Sequence, residues 1–290
     1  MATSRKISKK RRTRRLILVL SILLAIVAAV CVYFFLYLPI RAERIAAEEA
    51  AAAGAQFDSA DIPRSPYLHE GFTMQGERVM YEDEKFETLT GIDVSSHQGE
   101  IDWNAVAQDE ISYAVIQAGY RGYEDGALNE DIMFRTNLVG AQAAGLPCGV
   151  YFFSQAISED EAREEAEFLL DLLDGVTLEL PVFYDWEPVS AEHGRANALG
   201  GETVTACAKA FCETVAASGF EAAIYFNQNQ IYTQVRLEQL LDYPLWMAQY
   251  QNEPDCIYAY TWWQYTDNGT VAGITTPVDL NLWFRPINAS

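Results

Sequence analysis

From residue 89 onward, short runs rich in β-branched and aromatic residues alternate with amphipathic stretches of helical period, and few folds accommodate that alternation. A strand, a helix and a further strand return the chain in one direction, so repetition builds a largely parallel sheet with helices outside it. Strands are expected at 89–94, 113–118, 148–153, 181–185, 222–226, 245–249, 261–265 and 278–281. Helices are expected at 130–144, 159–174, 202–218 and 229–241. Ser158 is placed to cap the second of these, with acids in its first turn and Gly175 beyond its end. The late strands have only short connections. The fold class expected over 89–290 is therefore α/β, an irregular TIM-like (β/α) barrel rather than a full eightfold repeat.

The net charge of −21 is unevenly distributed. Residues 1–15 hold eight basic residues (Arg5, Lys6, Lys9, Lys10, Arg11, Arg12, Arg14 and Arg15) and no acid. Setting those eight aside from the 20 leaves 12 basic against 41 acidic residues, a balance of −29. An acidic body repels polyanions, so nucleic acid is not an expected partner. Residues 16–38 then run without a charge, from Leu16 to Leu38. An apolar helix of about 20 residues crosses the hydrocarbon core of a lipid bilayer. The preceding cations hold its start in the cytoplasm, which makes 1–15 a basic cytoplasmic tail and places the rest outside the cell membrane. A cleaved signal peptide is the competing reading. It calls for a shorter apolar region and a small-residue cleavage site, whereas this run ends in bulky aromatics and Pro39. Residues 39–88, Ala/Glu-rich at first and later broken by Pro63 and Pro66, are expected to form a stalk.

Other chemistries find little support. His69, His97 and His193 lack metal-ligand spacing, and no phosphate-binding glycine loop or Gly-x-Ser-x-Gly elbow is present. No metal or cofactor is expected. Cys31 lies in the apolar run, and Cys148, Cys207, Cys212 and Cys256 are expected as buried thiols rather than a disulfide framework.

Three expected strands end in acids where a buried strand should stay apolar: Asp93, the pair Asp185 and Glu187, and Asp279. In a parallel barrel the C-terminal strand ends share one rim, where active sites sit. Any one of these acids alone would be an ordinary helix cap; four at one mouth are not. Asp185 and Glu187 stand two apart on a strand, so both face one side. Mutual repulsion and the aromatics around Trp186 raise one pKa and keep a carboxyl protonated, as glycoside cleavage requires of its general acid. Tyr151, Phe153, Tyr184, Trp246, Tyr250, Trp262, Trp263 and Tyr265 lie near strand ends, and rings of this kind stack on sugar faces. Tyr151, Tyr184, Trp246 and one of Trp262 and Trp263 are expected to face a ligand, with Gln117, Gln249 and Gln264 donating to its polar groups. His97 is expected as a loop residue near the mouth.

Gly91-Ile92-Asp93-Val94-Ser95, followed by Gln98-Gly99 and Ile101-Asp102-Trp103, resembles the opening of glycoside hydrolase family 25, the muramidases of bacterial and phage lysozymes. The resemblance continues through 118–122, 145–153, 181–187, Trp263-Gln264-Tyr265 and 278–281, covering about residues 89–285 in the family's order. It implies hydrolysis of the β-1,4 bond between N-acetylmuramic acid and N-acetylglucosamine in peptidoglycan strands. Glu187 would be general acid/base. Asp185 would orient and charge-stabilise the substrate's 2-acetamido group, and Asp93 and Asp279 would complete the electrostatics. Phe152-Phe153 departs from the family pattern, where many members carry Tyr-His-Phe, which puts one polar contact in doubt. Substrate-assisted and water-activating routes both stay open at this point. So do two other functions: a non-catalytic, anchored glycan-binding scaffold, and a hydrolase of another N-acetylated glycan such as chitin.

Overall fold

The computed structural model describes residues 61–191 and 193–287. The basic tail, the uncharged run at 16–38 and the first part of the expected stalk lie outside them. Among the described residues no helix is long and apolar enough to cross a membrane.

The chain enters through a hairpin of β1 (Phe72–Gln75) and β2 (Arg78–Tyr81). It continues through β3 (Phe86–Val94), α1 (Trp103–Gln108), β4 (Tyr113–Arg121), β5 (Leu128–Glu130), α2 (Phe134–Ala143) and β6 (Cys148–Ser154). Next come α3 (Glu159–Leu172), β7 (Val182–Trp186), α4 (Gly201–Ala217), β8 (Ala222–Asn227), α5 (Gln228–Thr233), β9 (Leu245–Ala248), β10 (Trp262–Gly269) and β11 (Val278–Pro286). Eight strands close a barrel in the order β3-β4-β6-β7-β8-β9-β10-β11, with β11 returning to β3 and β5 added at the end of β4. Pairing is parallel from β3 round to β10. Strand β11 is antiparallel to both of its neighbours. All eight strands expected from the sequence are present, and the mixed α/β barrel is irregular in the last third, as the short connections required.

Alternation along the strands sorts the apolar residues into two cores. One contains no helical residue and fills the barrel: Tyr113, Val115, Phe183, Tyr225, Trp246 and Trp262 among others. Trp262 stacks on Trp283 with centroids 5.6 Å apart, and Phe183 meets Trp246 and Trp262 edge-on at 5.0 and 5.2 Å. The other core lies between strands and helices and includes Ile92, Ile116, Val150, Tyr184 and Phe211. Gly91 shows how tightly the interior is filled. A Cβ there would come within 2.3 Å of the Tyr113 ring, which occupies its place.

Three expectations are corrected. Residues 61–88 belong to the barrel domain rather than to a stalk, because Ile62, Val79 and Tyr81 are buried in the outer core. Tyr67 stacks on Phe284 at 3.9 Å and donates its hydroxyl to the Tyr260 carbonyl at 2.7 Å. The helix expected at 130–144 starts only at Phe134, since Leu128–Glu130 pairs with β4 and Asp131 Oδ1 accepts the Met133 amide at 2.8 Å. The helix expected at 229–241 is cut to Gln228–Thr233. Thr205 Oγ1 accepts the Arg236 amide at 2.9 Å and draws the chain onto α4. Ser158 caps α3 as expected, accepting the Glu161 amide. Cys148, Cys207, Cys212 and Cys256 are free and buried.

Candidate active site

The barrel opens at the end where β3 finishes, into a cleft of about 510 Å³. Asp93, Asp185, Glu187 and Asp279 all line it. Asp93 and Asp185 arrive as expected, on inward positions near the C-terminal ends of parallel strands, and Glu187 follows directly after β7. Asp279 arrives by another route. Strand β11 runs antiparallel, so it is the start of this strand that reaches the mouth, and Asp279 pairs in register with Asp93.

The four acids are not equivalent. Asp93 is held by amides: Gln264 Nε2 and Asn281 Nδ2 donate to its Oδ2 at 2.9 and 2.8 Å. Burial pushes its pKa up to about 6, against the pull of those two donors. Gln264 is fixed in turn, its Oε1 accepting from Tyr225 and Tyr250 hydroxyls at 2.9 and 3.0 Å. Asn281 Oδ1 accepts from the Trp246 indole at 2.9 Å. Asp185 has no such support. Its Oδ1 is buried without a partner, and burial, with the charges of Glu187, Asp93 and Asp279, drives its pKa well above the carboxylate range. Burial and Asp93 raise Glu187 to about 7, and burial with Asp93 and Asp267 raises Asp279 to about 9. Crowding acids in a low-dielectric pocket forces protons onto some of them. Asp93, with two donors, is the best placed to stay charged, and Glu187 is poised to hold and release a proton near neutrality.

Residues 92–274 match the family described as Glycosyl hydrolases family 25. The chain belongs to that family. An autolytic lysozyme of Clostridium acetobutylicum is 26% identical over 194 residues, covering 67% of this chain and 55% of the relative, so the chain spans about half the length of that relative. The autolysin LytC of Streptococcus pneumoniae, solved with a synthetic peptidoglycan ligand, superposes with a TM-score of 0.62 at 24% identity, over 73% of this chain and 52% of that one. A family 25 glycosyl hydrolase from Bacillus anthracis gives 0.57 at 21% identity over 72% and 94%. At these identities the two structures show a shared fold.

In this family 25 barrel, Tyr151, Trp246, Gln117 and Gln264 line the cleft as expected, and His97 and Phe153 do as well. Trp246 and Gln264 also hold the Asp93 support in place. Two expected contacts are corrected by strand parity. Tyr184 alternates with inward Asp185 and therefore faces outward, packed on Phe211 at 5.3 Å. Trp263 alternates with inward Gln264 and likewise points outward, edge-on to Phe72 at 5.6 Å, with its indole donating to the Gln249 carbonyl. Trp262 faces inward but is buried in the aromatic core below the mouth. Gln249 lines a side pocket of about 260 Å³ that shares Glu187, Tyr225 and Tyr250 with the cleft. Sequence reasoning missed Tyr120, Tyr123 and Asp131, which also line the cleft. Tyr123 lies in the loop after β4, outside any alternating pattern. Among the described residues, no group of His, Cys, Asp and Glu is arranged to hold a metal ion.

Proposed function

We propose that this chain is a peptidoglycan hydrolase, an N-acetylmuramidase that cuts the β-1,4 bond between N-acetylmuramic acid and N-acetylglucosamine. The observation that carries this reading is the set of four acids at one mouth, with the proton affinity of Glu187 raised to about 7. Family membership and the likeness to an autolytic lysozyme support it.

Glu187 acts as general acid/base. Protonated at the working pH, it donates to the glycosidic oxygen as that bond breaks. The positive charge developing at the anomeric carbon is stabilised by Asp93, fixed by Gln264 and Asn281 before substrate arrives, so little reorganisation is needed. Asp185, which lines the same cleft, orients the 2-acetamido group beside the reacting carbon. Asp279 adds charge or a proton as its neighbours titrate. Tyr151 offers its ring to the sugar and Gln117 a polar contact, while buried Trp246 and Gln264 hold Asn281 and Asp93 in place beneath them. Residues 16–38 anchor the protein in the cell membrane, with the barrel outside, in reach of wall glycan. That part of the proposal is supported by the uncharged run and the eight cations before it.

The test uses the full chain, since Ile62 and Val79 belong to the core. It should release reducing ends from purified wall and act poorly on chitin oligomers. Glu187→Gln should fold and lose about 10²- to 10⁴-fold in rate, the usual contribution of a general acid. Full activity in that variant would remove Glu187 from its role. Retention on insoluble wall without turnover by the native chain would favour the glycan-binding scaffold.

A further inference from the structure

Glu187 lies one residue beyond β7, where the sheet no longer fixes the backbone. The last pairs of β7 are Trp186 with Ser154 of β6 and Asp185 with Tyr225 of β8. Past that point two side-chain amides replace the ladder. Gln155, immediately after β6, donates Nε2–H to the carbonyl of Glu187 at 2.8 Å. Gln230, on the helix that follows β8, donates Nε2–H to the carbonyl of Trp186 at 2.9 Å. The two donors come from the continuations of the two strands that flank β7. Both glutamines are buried, with exposures of 0% and 4%.

Each glutamine is itself held in place. Gln155 donates its second amide hydrogen to the Ser154 carbonyl, gives its backbone N–H to Glu165 Oε1, and accepts Arg195 at its carbonyl at 3.0 Å. Arg195 is locked by two bonds to the Glu161 carboxylate at 2.7 and 2.8 Å. Gln230 is the third residue of a capping box: its Oε1 accepts the Asn227 amide at 2.7 Å while Asn227 Oδ1 accepts the Gln230 amide. A neutral amide suits both places. It donates without adding a fifth negative charge beside the crowded acids; both amide ends of Gln230 are bonded, and Gln155 is held through the two hydrogens of its Nε2.

We propose that Gln155 and Gln230 are positioning residues for Glu187, carrying the ladder past the end of β7 so that its carboxyl is aimed into the cleft. The proposal rests on the reading of Glu187 as proton donor. Gln230→Met removes the donor to Trp186 without adding a charge, and Gln155→Leu removes the other donor. In the full chain acting on purified wall, each should lower kcat by about 10- to 100-fold, the range typical when an outer support of a reacting group is lost. KM should stay within about twofold, since substrate contacts are untouched. The pH above which activity falls should move, because the surroundings of the Glu187 carboxyl change.

A folded Gln230→Met with native kcat and an unmoved pH profile overturns the proposal. So does a loss of kcat that follows loss of thermal stability with the profile unchanged. Should a variant fail to fold, the unsubstituted chain labelled with ¹⁵N decides: protected side-chain amide protons at both glutamines support the clamp, and exchange at the free-amide rate overturns it. Activity surviving in Glu187→Gln would instead sink the reading on which the proposal rests.

Discussion

Glu165 and Glu187 hold their protons to about the same pH, near 7, yet they occupy opposite faces of the barrel wall and arrive there by different physics. Glu165 lies on α3, fully buried on the outside of the strands. Burial raises its pKa, while Ser154 and Arg121 pull it back, at 2.6 and 2.8 Å. Glu187 opens into the cleft, where burial is reinforced by the charge of Asp93 instead of being offset. Both are poised near neutrality, but one has all its partners inside the protein and the other waits for one from outside. A raised proton affinity therefore marks burial. It is the lack of internal satisfaction, together with access, that marks a site.

The contrast can be broken most strongly by substituting the two glutamates in turn. Glu187→Gln should remove nearly all hydrolysis of wall while keeping the native melting temperature, whereas Glu165→Gln, whose amide oxygen can still accept the Gln155 N–H, should keep most hydrolysis in the folded fraction. Loss of activity in both would show that the outer network reaches the chemistry. Arg121→Ala should act on stability instead. Breaking a buried pair by removing one partner costs roughly 3–5 kcal/mol, which chemical denaturation would measure; a change under about 1 kcal/mol would mean that the outer pair is no anchor.

The pH dependence separates the two faces further. An acid must hold its proton to donate it, so kcat/KM should fall about tenfold per pH unit above roughly 7, and that limb should survive Glu165→Gln. Asp279 gives the smallest effect, and its sign runs through stability. Its folded pKa, about 9, is above the ordinary carboxylate value. The stabilisation it confers is therefore full in acid, below the unfolded pKa, and is lost as pH rises through the folded one. Asp279→Asn should raise the melting temperature by a few degrees at pH 9 and leave it unchanged at pH 4. An equal rise at both values would count against charge repulsion.

Much of the barrel was legible because its strands are short apolar runs with clear boundaries, and because Asp93, Asp185 and Asp279 interrupt that apolar pattern. Strand parity carries the facing of the remaining aromatics. If Asp185 and Gln264 face inward, Tyr184 and Trp263 must face outward. The hairpin of β1 and β2 was hidden because its strands have only four residues each and the first is mostly exposed, so that neither is long enough to establish a period. Gln155 is a single polar residue in a loop and carries no periodic signal. Gln230 did leave a trace: Asn227 with Gln230 three residues later spells a capping box at a helix start. The antiparallel sense of β11 could not be read from composition, since the few residues between Gly269 and Val278 fit a hairpin and an irregular connection equally well.

That reversed last strand sets an order of events. Strand β11 seals the barrel against β3 and brings Asp279 beside Asp93, across about 190 residues of intervening chain. A polypeptide emerging from the ribosome has neither a closed cleft nor its full complement of acids until residue 286 or so has been made. The cleft is therefore completed only once β11 has been made, and a chain cut short in the turn before Val278 would lack both the closing strand and Asp279.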